Sequence, residues 1–234
     1  MISTTLETQD LIIRRTAFDD LDQFFLWEQR PEVTEFFSIR DGQTKEEVYH
    51  KFFTDEDDPA AEQFTILLKC CGEDAGNGGA KNSTGDGETT GNTGGSDAGG
   101  STGYSEANSG ALPDHYAANS GLSNRPGPAI IGRIVLADII PGWKAKLWRI
   151  YIGDASLRGR GYGRQAMEAM MKYCFEDLNL QRLYLDHYTG NPAGFLYENL
   201  GFQREGVLRK NCRKNGVLYD VHLMSMLREE YFSK

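Results

Sequence analysis

Residues 72–128 divide this chain into two stretches of ordinary globular sequence, and any fold must be built around that division. Fifteen of the 27 glycines fall in this segment, set among Ser, Thr, Asn and Asp with almost no aliphatic side chains. Such a composition cannot bury enough apolar surface to offset the entropy of ordering it, so disorder is the expectation. Its hydrophobic footholds are Tyr104, Leu112, Tyr116 and Leu122. On either side, 64–68 and 129–136 read as β-strands. Without the segment they make a strand–turn–strand pair, so 72–128 is an overgrown hairpin loop that takes no part in the chemistry. Loop-closure entropy grows slowly with length, which makes so long an insertion tolerable. What remains is a comfortable size for one core, and 1–234 is expected to be a single domain.

Charge and composition narrow the function. The net charge is −9, more than half of it inside 72–128, which argues against a nucleic-acid binder, since such a protein normally shows a basic face. No run approaches the ~18–20 apolar residues of a membrane span, and the N-terminus lacks the basic and apolar stretches of a secretory signal. Cys70, Cys71, Cys174 and Cys212 fit neither a zinc spacing nor a CxxC motif, and read as free thiols in a reducing compartment. The expectation is a cytoplasmic protein without metal, nucleic acid or membrane partner. The mild acidity left outside the insertion would suit a cationic amine.

The flanking sequence parses as mixed α and β. Residues 11–15 form a first strand, and Asp19 or Asp20 can cap a helix with Leu21, Phe24 and Phe25 on one face. Residues 44–47 (Thr-Lys-Glu-Glu) are a capping box opening a helix with Val48 and Phe52 one turn apart. Residues 148–153 are a strand leading into a Gly-rich turn. Met167, Met170, Met171, Cys174, Phe175 and Leu178 follow at helical spacing, as core packing. Residues 182–187 return as a strand. Asn191-Pro192 signals a helix start, and Gly201 sits where the end of that helix wants a glycine. Asn215-Gly216 marks a hairpin. The class is α+β, a mixed sheet with helices on both faces.

The turn Arg158-Gly159-Arg160-Gly161-Tyr162-Gly163 lies between a strand and an amphipathic helix. Glycines there let successive N–H groups face one concavity, and the helix N-terminus adds partial positive charge, a combination suited to a pyrophosphate. Arg158, Arg160 and Arg164 add charged donors. A P-loop would continue Gly-Lys-Ser/Thr, but Gly163 is followed by Arg164-Gln165. A dinucleotide fold would want a glycine at 164, although Asp186 stands where a ribose-binding acid belongs. Too few residues follow Asp186 to complete a doubly wound sheet. A tight turn with no ligand remains the structural alternative.

Taken together with what lies downstream, this turn resembles the (Arg/Gln)-x-x-Gly-x-(Gly/Ala) acetyl-CoA motif of the GNAT superfamily of N-acetyltransferases. The strand ending at Asn191 and the run Leu196-Tyr197-Glu198-Asn199-Leu200-Gly201-Phe202 are similar to that family's later motifs, and the segment from Glu205 to Met224 resembles its ribosomal-protein and polyamine branch. The spacing from Asn191 to Tyr197 is one residue shorter than usual for the family. The resemblance implies acetyl-CoA as cosubstrate, its pyrophosphate on the backbone of the turn from Arg158 to Arg164 and its pantetheine arm along the edge of Tyr151 and Ile152, with Asn191 as a further contact or a helix cap. It implies direct attack of an amine on the thioester, aided by a backbone N–H near Ile152. Tyr197 stands at the position of the acid that protonates the leaving thiolate. His187, where the family strand usually has an aliphatic residue, is a candidate base, in competition with His222, Glu28, Glu35 and water. Dimers are common among such proteins, so a homodimer stays open. So do a non-catalytic acetyl-CoA-binding module and an interaction protein working through 72–128. The acceptor amine, whether small molecule, polyamine or protein N-terminus, is not written in any motif.

Overall fold

A computed structural model describes residues 4–69 and 127–233. Apart from Gly127 and Pro128, the insertion lies outside the described residues, as do Cys70 and Cys71. In chain order the elements are β1 (Thr5–Glu7), β2 (Leu11–Arg15), α1 (Leu21–Glu28), α2 (Pro31–Thr34), α3 (Lys45–Glu56), β3 (Glu62–Leu68), β4 (Ala129–Ile140), β5 (Lys144–Ile152), α4 (Tyr162–Lys172), β6 (Arg182–Tyr188), α5 (Ala193–Asn199), β7 (Gln203–Lys214), β8 (Val217–Leu227) and α6 (Arg228–Phe232). The strands form one sheet in the order β1-β2-β3-β4-β5-β6-β8-β7. Each neighbouring pair is antiparallel except β5–β6, which is parallel. The fold is α+β, a mixed sheet flanked by helices.

Local chemistry accounts for the elements. Thr44 and Glu47 form the expected capping box: Glu47 N–H donates to Thr44 Oγ1 (3.3 Å) and Thr44 N–H to Glu47 Oε2 (2.8 Å). Val48 and Phe52 then turn inward from α3. Strands β3 and β4 pair with Leu68 opposite Ala129, so the chain leaves and re-enters the sheet as a hairpin. Asn215 and Gly216 take φ values of +48° and +82° between Lys214 and Val217, the left-handed pair that a two-residue hairpin turn requires. At the end of α5, Gly201 (φ +88°) donates to the Glu198 carbonyl (2.8 Å) and Phe202 to that of Tyr197 (3.0 Å), which closes the helix in a Schellman motif.

Two differences from the sequence reading stand out. Residues 11–15 are the second strand, because Thr5–Glu7 pairs outside them as a short edge too brief to show alternation. The Met167–Leu178 stripe is buried at Met167, Met170, Met171, Cys174 and Phe175 as expected, but its last turn, Tyr173–Asp177, widens to a π-helix.

Candidate active site

Strands β5 and β6 pair only from Lys144↔Arg182 to Leu147↔Leu185. Beyond that point β5 stays registered with β4 and β6 with β8, so a wedge opens between the two central strands. A β-bulge sets where it starts. Val135 faces Arg149 and Leu136 faces Leu147, which leaves Trp148 as the extra residue, and such an insertion bends and twists its strand. Gly153 N–H donates to the Ile131 carbonyl (2.9 Å), making Gly132–Ile152 a non-hydrogen-bonded pair of the ladder. The N–H and C=O of Ile152, and of Ile150 two residues before, therefore point away from β4 into the wedge. Arg158 Nε donates to the Ile152 carbonyl from that side (3.4 Å). Tyr151 has the opposite parity: its backbone faces Arg133, and its hydroxyl donates to Glu28 (3.0 Å). The free edge thus belongs to Ile150 and Ile152 rather than to Tyr151.

The glycine turn lies just past the end of β5. Gly159 (φ +76°) and Gly161 (φ +86°) both occupy the region that side chains avoid, and nothing lies within 4 Å of where either Cβ would sit. Backbone conformation, not space, requires glycine here. Gly161 caps α4 without a side chain, so the first N–H groups of the helix have no intrahelical acceptor and sit at its positive end. Gln165 fixes the turn against the loop between β1 and β2, accepting from Thr8 Oγ1 (2.8 Å) and donating to Asp10 Oδ2 (2.6 Å). Arg158, Gly159 and Gly163 line a cleft of about 1280 Å³ that also takes in Tyr151, Ile152 and Asn191. Arg160, Gly161, Tyr162 and Arg164 complete the same turn, with Arg164 paired to Glu168 (3.5 Å). Asn191 is a helix cap: its Oδ1 accepts from Ala193 N–H (2.9 Å).

Tyr197 and His187 come together in the cleft with ring centroids 5.8 Å apart. The Tyr197 hydroxyl has no hydrogen-bond partner among the described residues, and burial pushes its pKa up to about 12. His187 Nδ1 lies 3.1 Å from the Tyr188 carbonyl, which can only accept, so Nδ1 carries the proton and Nε2 holds the lone pair. Nε2 is buried without a partner. Burial lowers the pKa of this imidazole, His222 and Arg204 lower it further, and the bond to Tyr188 opposes them. His222 stands opposite on β8, 5.3 Å away centroid to centroid. Gly194 makes the arrangement possible, because a Cβ there would lie 2.9 Å from His187 Cε1.

Glu28 is not a free base. Its Oε1 accepts from Arg133 (3.0 Å), Arg149 (2.9 Å) and the Tyr151 hydroxyl, and Gln43 reaches Oε2 at 3.4 Å. Burial pushes this carboxyl up, but Arg149, Arg133 and Tyr151 outweigh it and hold the pKa below the usual range. Glu35 is exposed on the wall of the cleft. Trp27 lies flat against the end of β5: a Cβ on Gly153 would come within 2.1 Å of its indole. Gly153→Ala is therefore expected to displace Trp27 and cost about 1–3 kcal/mol, the usual range for overpacking. A urea midpoint equal to wild type would show that α1 yields without cost.

Sequence reasoning missed the Arg133–Glu28–Arg149 cluster, Gly153 under Trp27 and Gly194 over His187. An arginine at 133 inside an otherwise apolar strand was the one available signal.

Residues 107–202 match the model of the Acetyltransferase (GNAT) family. The chain is 36% identical over 74 residues to an uncharacterized N-acetyltransferase, p20, of Bacillus licheniformis, covering 31% of this chain and 42% of that one. It is 32% identical over 106 residues to spermidine N(1)-acetyltransferase of Vibrio cholerae, covering 45% and 61%. The chain thus spans roughly half the length of these relatives. Among solved structures, spermidine N-acetyltransferase from Vibrio cholerae in complex with CoA and spermine aligns over 96% of this chain and 99% of that one, with a TM-score of 0.64 at 19% identity. A GNAT-family acetyltransferase from Bacillus anthracis aligns over 97% and 99%, with a TM-score of 0.61 at 16% identity. At such identities these likenesses establish the fold.

Proposed function

We propose that this chain, whose residues 107–202 match the Acetyltransferase (GNAT) family, transfers the acetyl group of acetyl-CoA directly to a primary amine bound in the cleft. The observation that carries the reading is the coincidence of two openings. Strands β5 and β6 part beyond Leu147 and Leu185, and the positive-φ turn at Gly159 and Gly161 stands just beyond β5. The cleft between them suits a long, narrow cosubstrate with an anionic end, which supports acetyl-CoA as the ligand. When bound, acetyl-CoA supplies a thioester carbonyl open to an amine.

The chain's own groups divide the remaining work. The N–H groups at the start of α4, with Arg158 and Arg160, hold the pyrophosphate. Ile150 and Ile152 offer backbone groups along the wedge, and the Ile152 N–H donates to the carbonyl oxygen on which charge develops. Tyr197 gives its proton to the departing sulfur, and His187 Nε2 takes one from the amine, directly or through water. Holding the reactants in line supplies much of the rate. Residues 1–234 act as one catalytic domain, with 72–128 outside its chemistry. The spermidine acetyltransferase among its relatives supports an amine acceptor without naming which one.

Calorimetric titration with acetyl-CoA tests the reading. Wild-type protein is expected to bind, and Gly161→Glu to bind roughly tenfold more weakly or worse. That substitution strains a left-handed position by about 1–2 kcal/mol and sets a carboxylate where the pyrophosphate belongs. A folded wild type that does not bind acetyl-CoA would return the turn to mere architecture.

A further inference from the structure

The floor of the cleft carries more positive charge than its neighbours neutralise. Arg133 and Arg149 converge on the single carboxylate of Glu28, and their side chains are 2% and 11% exposed. The next acid, Asp55, is paired with Lys51. Among these five groups one cation is left over. Two buried guanidiniums sharing one carboxylate is a costly arrangement unless a further anion arrives, because charge removed from water must be compensated locally. Burial and the nearby Arg133 both push the pKa of Arg149 down, while Glu28 and Asp55 oppose them.

The surplus is localised. Arg133 uses its terminal nitrogens on Glu28 and on Gln63 Oε1, packs over the Phe24 ring (4.9 Å) and lies under the cleft. Arg149 makes one hydrogen bond, to Glu28, and its remaining N–H donors find no acceptor among the described residues. It lies against the Trp148 ring (4.6 Å) and lines the cleft. A guanidinium fixed by one ion pair and one aromatic face, with the rest of its fork open, is preorganised for a planar anion. Glu32 and Glu35 also line the cleft, but both are exposed, so water and salt screen them from the floor.

We propose that the acceptor amine also carries a carboxylate, which docks on the open donors of Arg149. The proposal rests on the acetyl-transfer reading above and narrows its substrate class. One surplus cation matches one carboxylate, whereas a phosphate monoester would bring about −1.5 to −2 charges. A polyamine would add cations beside an already cationic floor. The reaction still balances as before: the amine nitrogen bonds to the acetyl carbon, the carbon–sulfur bond breaks, and the amine's proton and the thiolate are accounted for by His187 and Tyr197. The carboxylate is only held.

The test uses the full chain, acetyl-CoA and a panel read by release of free thiol. The panel holds the common amino acids, their carboxamides, the amines left when the carboxylate is removed, and spermidine. At least one carboxylate-bearing amine is expected to exceed its carboxamide and its decarboxylated counterpart roughly tenfold or more in kcat/KM. Arg149→Gln should bring that ratio to about one by raising the acceptor KM, and Arg149→Lys, which keeps charge but not the fork, should fall between. Arg149→Gln leaves Glu28 with Arg133 as a neutral pair, so the fold has no new unpaired charge. A preference for spermidine or for neutral amines overturns the proposal. So does a ratio indifferent to Arg149→Gln, or failure to acetylate any carboxylate-bearing amine by a chain that binds acetyl-CoA. Absence of acetyl-CoA binding, measured separately by calorimetry, would instead remove the acetyl-transfer reading itself.

Discussion

Glu28→Ala is expected to lower the thermal midpoint by roughly 10 °C. The substitution leaves Arg133 and Arg149 in place and removes the carboxylate they share. Breaking a buried ion pair by deleting one partner costs about 3–5 kcal/mol, and in a domain of this size each kcal/mol moves the midpoint by about 2–4 °C. The pH dependence has a definite sign. Burial raises the Glu28 pKa, but the two arginines and Tyr151 lower it more, so its folded value lies below its unfolded one. Its contribution is then complete above the ordinary glutamate pKa of about 4.3 and disappears as pH falls through the lower, folded value. Wild type should lose this part of its stability in acid, and the variant should have none of it to lose. A midpoint within 3 °C of wild type at neutral pH would mean that the arginines reach solvent or another acid, and the surplus-charge argument at Arg149 would weaken with it.

Elements with a local chemical cause were legible in the sequence. The capping box at Thr44, the Asn215-Gly216 turn, the cap at Asn191 and the glycine at 201 each solve a backbone problem within a few residues, and the structure puts each to that use. The glycine turn was legible for the same reason. A free edge at Tyr151 and Ile152 was expected from family likeness alone, since nothing in 148–152 says where pairing with a strand about thirty residues later will stop. It depends on the bulge at Trp148, a register event between β4 and β5 that leaves no local mark. The Glu28 cluster was illegible on similar grounds. Glu28 comes from a helix 105 and 121 residues before Arg133 and Arg149 on their two strands, and no motif links the three. Only burial turns them into a cluster. His187 was half legible: its strand was right, whereas its tautomer and the tight approach of Gly194 depend on α5 docking over it.

Tyr197→Phe separates the chemical step from everything else the cleft does. Its hydroxyl has no partner among the described residues, so removing it breaks no hydrogen bond, and the ring keeps its contacts with His187 and Phe202. Stability should therefore change by less than about 0.5 kcal/mol, and acetyl-CoA affinity should hold. If the hydroxyl protonates the leaving sulfur, kcat falls about 10²–10⁴-fold, the range for losing a positioned acid. The pH profile sharpens the assignment. With a pKa near 12, raised by burial, Tyr197 keeps its proton throughout the measurable range and contributes no alkaline limb. His187 has the opposite disposition. Its pKa lies below the ordinary histidine value, so the imidazole is neutral at pH 7, and an activity that needs its lone pair falls only in acid below about 6.5. Wild type and Tyr197→Phe should thus share an acid limb and differ by a constant factor above it. A kcat within threefold of wild type would leave the thiolate to be protonated by solvent. An alkaline limb near pH 9–10 that vanished in the variant would mean that this tyrosine works as its anion, which would overturn its role as the acid.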